Sequence, residues 1–228
     1  MIERSVAIIV PVYNEVQQLE QNVQRFVDLE TDELIFVDGG STDQSVLFLQ
    51  RRGVICAASD PGRAIQMNTG AEFCKSNILV FIHVDTFINK SGIEAIKQAF
   101  SQPDVVGGRF DVRLSGKHPA FRIIAFMINL RSRLSKISTG DQVQFVSRSV
   151  FEAMHGFAEI PLLEDVEFSK RLKQVGPVAC LNEQVITSSR RWEKHGIINT
   201  VWLMWKIRLY YWWGVSPEKL AMLYRHAR

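Results

Sequence analysis

The sequence predicts an α/β fold: a mostly parallel sheet with helices on both faces. Two observations carry this. Over roughly the first hundred residues, a short apolar run, a polar loop and an amphipathic stretch follow one another four times, the order that builds parallel βα units. The clearest of these runs, Ile78 to Ile82, is largely β-branched and gives way abruptly to His83, Asp85 and Thr86. Polar groups at the carboxyl end of a buried strand mark the place where open α/β sheets keep their sites.

Ser5 to Val10 is the first strand, apolar on both faces, and Pro11 is expected to end it. The loop Pro11 to Glu15 enters a helix over Val16 to Leu29, in which Leu19, Val23, Phe26 and Val27 keep helical spacing. Leu34 to Val37 is the second strand. It breaks into Asp38-Gly-Gly-Ser-Thr-Asp43, which leaves Asp38 at a strand end and Ser41 to Asp43 free to cap the next helix. Val54 to Ala57 is a short third strand, and Pro61 and Gly62 turn the chain into a helix reaching Cys74, with Arg63 near its start. After the fourth strand come a helix over Ser91 to Phe100 and an extended segment from Val105 to Leu114. A helix over Pro119 to Lys136 sets Ile123, Phe126, Met127 and Leu130 against Arg122, Arg131 and Arg133. A strand at Val143 to Val146 leads to a helix ending near Gly156. Pro161 to Gly176 is helical with Glu164 and Asp165 in its first turn, where the dipole favours acids, and Val178 to Leu181 is a strand.

The segment Ile197 to Val215 holds four of the five tryptophans, with Lys206 and Arg208 interrupting it. Those charges argue against a membrane span. Packing against the body of the protein or a second copy, and lying on a membrane surface, both suit its aromatic stripe. Pro217 begins a last short helix.

At 228 residues with 46% hydrophobic and 22% charged residues, the chain has the composition of one globular domain, 1–228. A net charge of +3 with interspersed signs gives no case for nucleic acid. Cys56, Cys74 and Cys180 are odd in number and widely spaced, which fits reduced, buried thiols and a cytoplasmic setting. The N-terminal apolar run is too short for a signal peptide and is expected to be the first strand.

Tyr13, Asp38, Arg63 and Asp85 would line one edge of the sheet, an aromatic ring, two carboxylates and a guanidinium that together suit a nucleotide. Asp85 and His83, two apart on an extended segment, would point to one side and could share a divalent cation; an ordinary turn aspartate is the competing reading. Neither a dinucleotide fingerprint nor a Walker loop occurs.

Six stretches in order, Pro-Val-Tyr-Asn-Glu (11–15), Val-Asp-Gly-Gly-Ser-Thr-Asp (37–43), Gly62 to Ala71, His-Val-Asp-Thr (83–86), Gly-Asp-Gln (140–142) and Leu162 to Gly176, resemble family 2 glycosyltransferases of the GT-A fold. They are similar in particular to the small bacterial members found beside radical-SAM and selenium-related proteins. The resemblance implies a nucleotide-diphospho-sugar donor bound by the half 1–112, an acceptor and catalytic half at 113–195, and a helical tail at 196–228. It implies donor contacts at Pro11, Tyr13, Glu15, Asp38, Arg63, Asn68, Val84 and Asp85, with Glu15 equally suited to capping and Asn68 to packing. Asp85 with His83 would hold Mn2+ or Mg2+; His83 stands where the family carries the first Asp of its D-x-D. Asp165, paired with Glu164, matches the catalytic base. Asp141, Gln142, Arg191 and Trp192 match diphosphate and acceptor positions, although Ser188 replaces the glutamine of Q-x-x-R-W; Arg190 and His195 read as surface. The acceptor is left open. The chemistry implied is inverting transfer, with a sugar nucleotidyltransferase and an inactive binding module with a membrane-surface tail as the competing functions. The nucleotidyltransferase would want a glycine-rich basic loop after the first strand, which 11–15 lacks.

Overall fold

The computed structural model describes residues 4–226. Its first strand, β1 (Val6–Val12), is buried along its whole length. It lies between β2 (Glu33–Asp38) and β4 (Ile78–Phe81) and runs parallel to both, while β3 (Ile55–Ala58) extends the parallel set beyond β2. On the other flank the direction reverses. β7 (Gln144–Ser147) is antiparallel to β4, β6 (Gly107–Leu114) antiparallel to β7, β8 (Val178–Thr187) parallel to β6, and β5 (Thr86–Phe87) antiparallel to β8. The sheet order is β3-β2-β1-β4-β7-β6-β8-β5.

Successive residues of β1 serve opposite faces, as strand geometry requires. Val6, Ile8 and Val10 meet Leu19, Val23 and Phe26 of α1 (Val16–Val27) and Ile93 and Ile96 of α4 (Lys90–Ala99). Ala7 and Ile9 join the second core with Met67 and Ala71 of α3 (Arg63–Phe73), Phe151 of α6 (Arg148–Ala153) and Phe168 and Leu172 of α7 (Glu164–Val175). Gly70 lets α3 approach the sheet: a Cβ there would stand 2.4 Å from Ile9 Cγ2. The remaining helices are α2 (Ser45–Arg51), α5 (Ala120–Ser135), α8 (Arg190–His195), α9 (Ile197–Trp212) and α10 (Pro217–His226), with a 3-10 turn at Gly140–Gln142.

Several boundaries differ from the sequence expectation, each for a local reason. Pro11 does not end β1; it stays in register with Val37. Ile9 accepts from Ile82 on the β4 side and Val12 from Gly39 on the β2 side. Pro11, two residues after Ile9, therefore turns its donorless nitrogen toward β4 where pairing has already stopped. His83 and Asp85 do not share an extended face, because the chain turns there, with Thr86 N donating to His83 O at 3.0 Å. α7 starts at Glu164 rather than Pro161, since Leu163 is left-handed at φ 67°. β8 runs on to Thr187, its register with β6 jumping between Phe110 and Asp111. Arg190 to His195, for which the sequence pointed to no element, is helical. Of the three free cysteines only Cys74 is buried; Cys56 and Cys180 are half-buried.

α9 buries little more than Thr200 and Ile207 and leaves Trp202, Trp205 and Trp212 exposed, as is Trp213 just beyond its end. Among the described residues no helix is long and apolar enough to cross a membrane.

Candidate active site

The carboxyl ends of β1 and β2 are tied together by side-chain hydrogen bonds. Gln66 donates to Val12 O and Val37 O at 2.7 and 2.8 Å. Asn14, left-handed at φ 52°, accepts from Thr42 N and Asp43 N and takes its own N–H to Ser41 Oγ. Asp43 receives Val16 N and Ser45 N, joining the starts of α1 and α2. Burial opposes its charge, but those bonds outweigh it and hold its carboxyl below the usual range. On this frame Tyr13 stands 54% exposed. Asp38 is only 6% exposed; its Oδ2 accepts from Gly40 N and Ser41 N at 2.9 and 3.0 Å, while Oδ1 is buried with no hydrogen-bond partner among the described residues. A buried acceptor left open beside an exposed ring is a place for a ligand's N–H or O–H.

Arg63, the first residue of α3, joins this edge to the other half of the molecule. It pairs with Glu164 Oε1 at 3.4 Å across 101 residues of sequence. Burial works against its charge, and Glu164, Asp165 and Glu15 outweigh burial and hold it above the usual arginine value. Behind burial, its field also helps to lower His83, and it opposes the burial that raises Asp85. One guanidinium thus interacts with acids from β1's loop, β4's turn and the start of α7. Glu15 occupies the position before α1 without a side-chain capping bond, and its charge is one of those that hold Arg63 up. Asp165 accepts from Gly140 N at 2.7 Å and its own Oδ1 takes Val166 N. Burial, and then the neighbouring Glu164, push Asp165 up to about 6 despite those bonds and Arg63. A carboxylate poised there is suited to taking a proton near neutrality.

Asp85 is 32% exposed and lies 3.6 Å from Arg190 of α8. Burial raises its pKa, with Arg190 and Arg63 pulling the other way. Burial and the charge of Arg63 drive His83 down to about 3, so its imidazole is neutral. A Cβ on Gly140 would fall 2.4 Å from His83 Nε2, which places the ring against the loop that holds Asp165. Among the described residues no three acids, histidines or cysteines form a metal cage. One carboxylate and one neutral imidazole suit a cation that takes its remaining oxygens from substrate phosphates and water.

The model of the family described as Glycosyl transferase family 2 matches residues 7–158. The chain belongs to this family. Among solved structures, the transferase is similar to glucosyl-3-phosphoglycerate synthase from Mycobacterium tuberculosis. The complex of that enzyme with Mn2+, uridine-diphosphate-glucose and phosphoglyceric acid superposes with TM-score 0.60 at 19% identity, over 79% of this chain and 70% of that one. A structure of the enzyme without named ligands gives 0.61 at 17% identity, over 79% and 71%. Its complex with Mg2+ and uridine-diphosphate gives 0.58 at 18%, over 79% and 70%. The likeness establishes the GT-A-like fold. No curated protein matches the transferase significantly.

Some residues marked by sequence lie elsewhere in the transferase. Asn68 uses both ends of its amide on Phe157, donating to O at 2.9 Å and accepting from N at 2.8 Å, and so pins the loop before α7. Gln142 is wholly buried and donates to Phe110 O and Ser132 Oγ, which removes it from contact with diphosphate or acceptor. Arg191 lies over the Tyr224 ring, 4.1 Å from its centroid, whereas its neighbour Arg190 faces Asp85. Val84 is buried, its carbonyl taking Asn22 Nδ2 at 3.2 Å, and Pro11 is buried in the sheet. Trp192 is half-buried at the first turn of α8, and Asp141 accepts from Thr139 Oγ1 next to Gly140, whose N–H binds Asp165. The sequence reading places Arg190 on the surface; the structure instead sets it 3.6 Å from Asp85.

Proposed function

We propose that the transferase moves a sugar from a nucleoside diphosphate to an acceptor hydroxyl with inversion, Asp165 acting as base. The observation that carries the reading is Arg63, whose guanidinium interacts at once with Asp85 on the donor side and with Glu164 and Asp165 on the other. Tyr13 and the open Oδ1 of Asp38 would take the base. A divalent cation held by Asp85 and His83 would supply positive charge to the diphosphate. Arg63 and Arg190 flank the same position. The acceptor oxygen attacks the anomeric carbon, its proton passes to Asp165, and the bond from that carbon to the diphosphate oxygen breaks, the pair of electrons leaving with the diphosphate. Attack from the side opposite the leaving group inverts the centre.

The neighbouring synthase, crystallised with uridine-diphosphate-glucose, Mn2+ and Mg2+, makes uridine diphosphate the first ligand to try. In this reading the protein works in the cytoplasm, and the exposed face of α9 rests on the inner membrane surface or on a second copy. Calorimetric titration of uridine diphosphate into the full chain, with and without Mn2+, followed by a turnover assay of nucleotide sugars, tests the proposal. Binding strengthened by Mn2+ supports it; failure of every nucleoside diphosphate and its sugars to bind in the presence of Mn2+ overturns it.

A further inference from the structure

Two arginines near Asp165 have no task in the transfer just described. Arg131 lies on α5, and its Nε and Nη2 are buried without a hydrogen-bond partner among the described residues. Its neighbour Arg133 is by contrast engaged, donating to Asp111 Oδ2 at 2.8 Å. The turn of α5 that bears Arg131 is held firmly. Asn129 exchanges two hydrogen bonds with Val112 at 2.8 and 3.0 Å, and Ser132 Oγ accepts from Gln142 while donating to Asn129 O. Arg208 comes from α9. One turn further along that helix the Tyr211 ring lies 4.3 Å from Lys170 Nζ, which seats α9 against α7, the helix whose first turn carries Asp165. Burial lowers the pKa of both arginines, and each repels or feels the same surroundings: Arg208 lowers Arg131 further, while Asp141 and Asp165 attract both. Buried guanidinium nitrogens on a fixed turn, left open beside a base, are costly in the empty protein and ready for an anion.

We propose that Arg131 and Arg208 form an anion subsite for the acceptor, binding a phosphate monoester on it and so presenting a hydroxyl of the same molecule to Asp165. This rests on the reading of Asp165 as the base. Guanidinium groups suit phosphate because each offers parallel N–H donors at a fixed spacing. The phosphate belongs either to a free metabolite or to a lipid headgroup. The outward sides of the same two helices are apolar, with Phe126, Leu134, Trp202, Trp205 and Trp212 exposed, so the lipid source must be tested as well.

The experiment uses the full chain loaded with uridine diphosphate and Mn2+. Glycerol 3-phosphate and glycerol are titrated into it, and in parallel it is floated with phosphatidylcholine vesicles with and without phosphatidic acid. Arg131→Gln and Arg208→Gln are compared with Arg122→Gln, an exposed charge on the same helix as Arg131. The expected result is phosphate-dependent binding in one arm or the other, weakened at least about tenfold by each of the first two substitutions and not by the third. Thermal melting checks folding; if Arg131→Gln melts early, Arg131→Lys and Arg208→Gln decide. No phosphate-dependent binding in either arm, or binding that the Arg208 and Arg131 variants leave unchanged, or that Arg122→Gln weakens equally, overturns the proposal. Failure of the unaltered protein to bind any nucleoside diphosphate in the presence of Mn2+ would instead remove the proposed transfer reaction, so the two failures are distinct.

Discussion

The backbone N–H of Gly140 lies 2.7 Å from Asp165 Oδ2, and the imidazole of His83 fills the space where a side chain at 140 would stand. The strand-end turn that carries Asp85 is therefore packed against the loop that orients Asp165. A side chain at 140 would have to displace the His83 ring, so the two segments are held in one register through this contact.

Replacing that carboxylate tests its role directly. Asp165→Asn should lower kcat by about 10² to 10⁴, while uridine diphosphate binds as before. A variant retaining most of its turnover in a donor and acceptor assay would remove Asp165 from the chemistry.

The pH profile follows from the raised pKa. Asp165 is lifted from 3.8 to about 6 by burial and Glu164, and only its deprotonated form accepts a proton. The ratio kcat/KM should fall as pH drops through about 6 and level off above. Stability runs the other way. A carboxyl that holds its proton more tightly when folded stabilises fully below its unfolded value near 3.8, and that contribution is lost as pH rises through about 6. Urea unfolding at several pH values should show this decline in the native protein and its absence in Asp165→Asn.

Asp38 offers a test of the nucleotide edge. In Asp38→Asn one oxygen can still receive Gly40 N and Ser41 N, but an amino group replaces the open Oδ1. Affinity for uridine diphosphate should drop by about ten- to a hundredfold, as when a buried donor meets a donor. The melting temperature should stay close to the native value; equal affinity in both proteins would place the base elsewhere.

Two adjacent arginines should separate cleanly. Arg190→Ala removes the partner of Asp85 and should raise KM for the donor by about tenfold, with little effect on melting. Arg191→Ala removes the cation over Tyr224, worth about 0.5–1 kcal/mol, and should shift melting more than KM. The reverse pattern would return Arg191 to the site.

The parallel half of the fold was readable because its signals are local. Apolar runs such as Ile78 to Ile82 end in polar residues within the same few positions, so Asp38, Arg63 and Asp85 could be placed at strand ends by counting along the chain. The start of α7 was readable in the same way, since paired acids suit a helix N-terminus. What the amides of Asn68 and Gln142 bind was not readable, because their partners, Phe157 and Phe110, lie far off in sequence and leave no local trace.

Local patterning thus determined that this chain forms an α/β sheet with acids and an arginine along one edge, since burial and helix or strand periodicity act over a few residues. Which of these groups meet was decided by tertiary structure alone: the antiparallel insertion of β7 beside β4, the turn of Arg190 toward Asp85, and the span from Arg63 to Glu164. Such contacts join segments about a hundred residues apart, and the burial that lifts Asp165 exists only once the chain has folded around it.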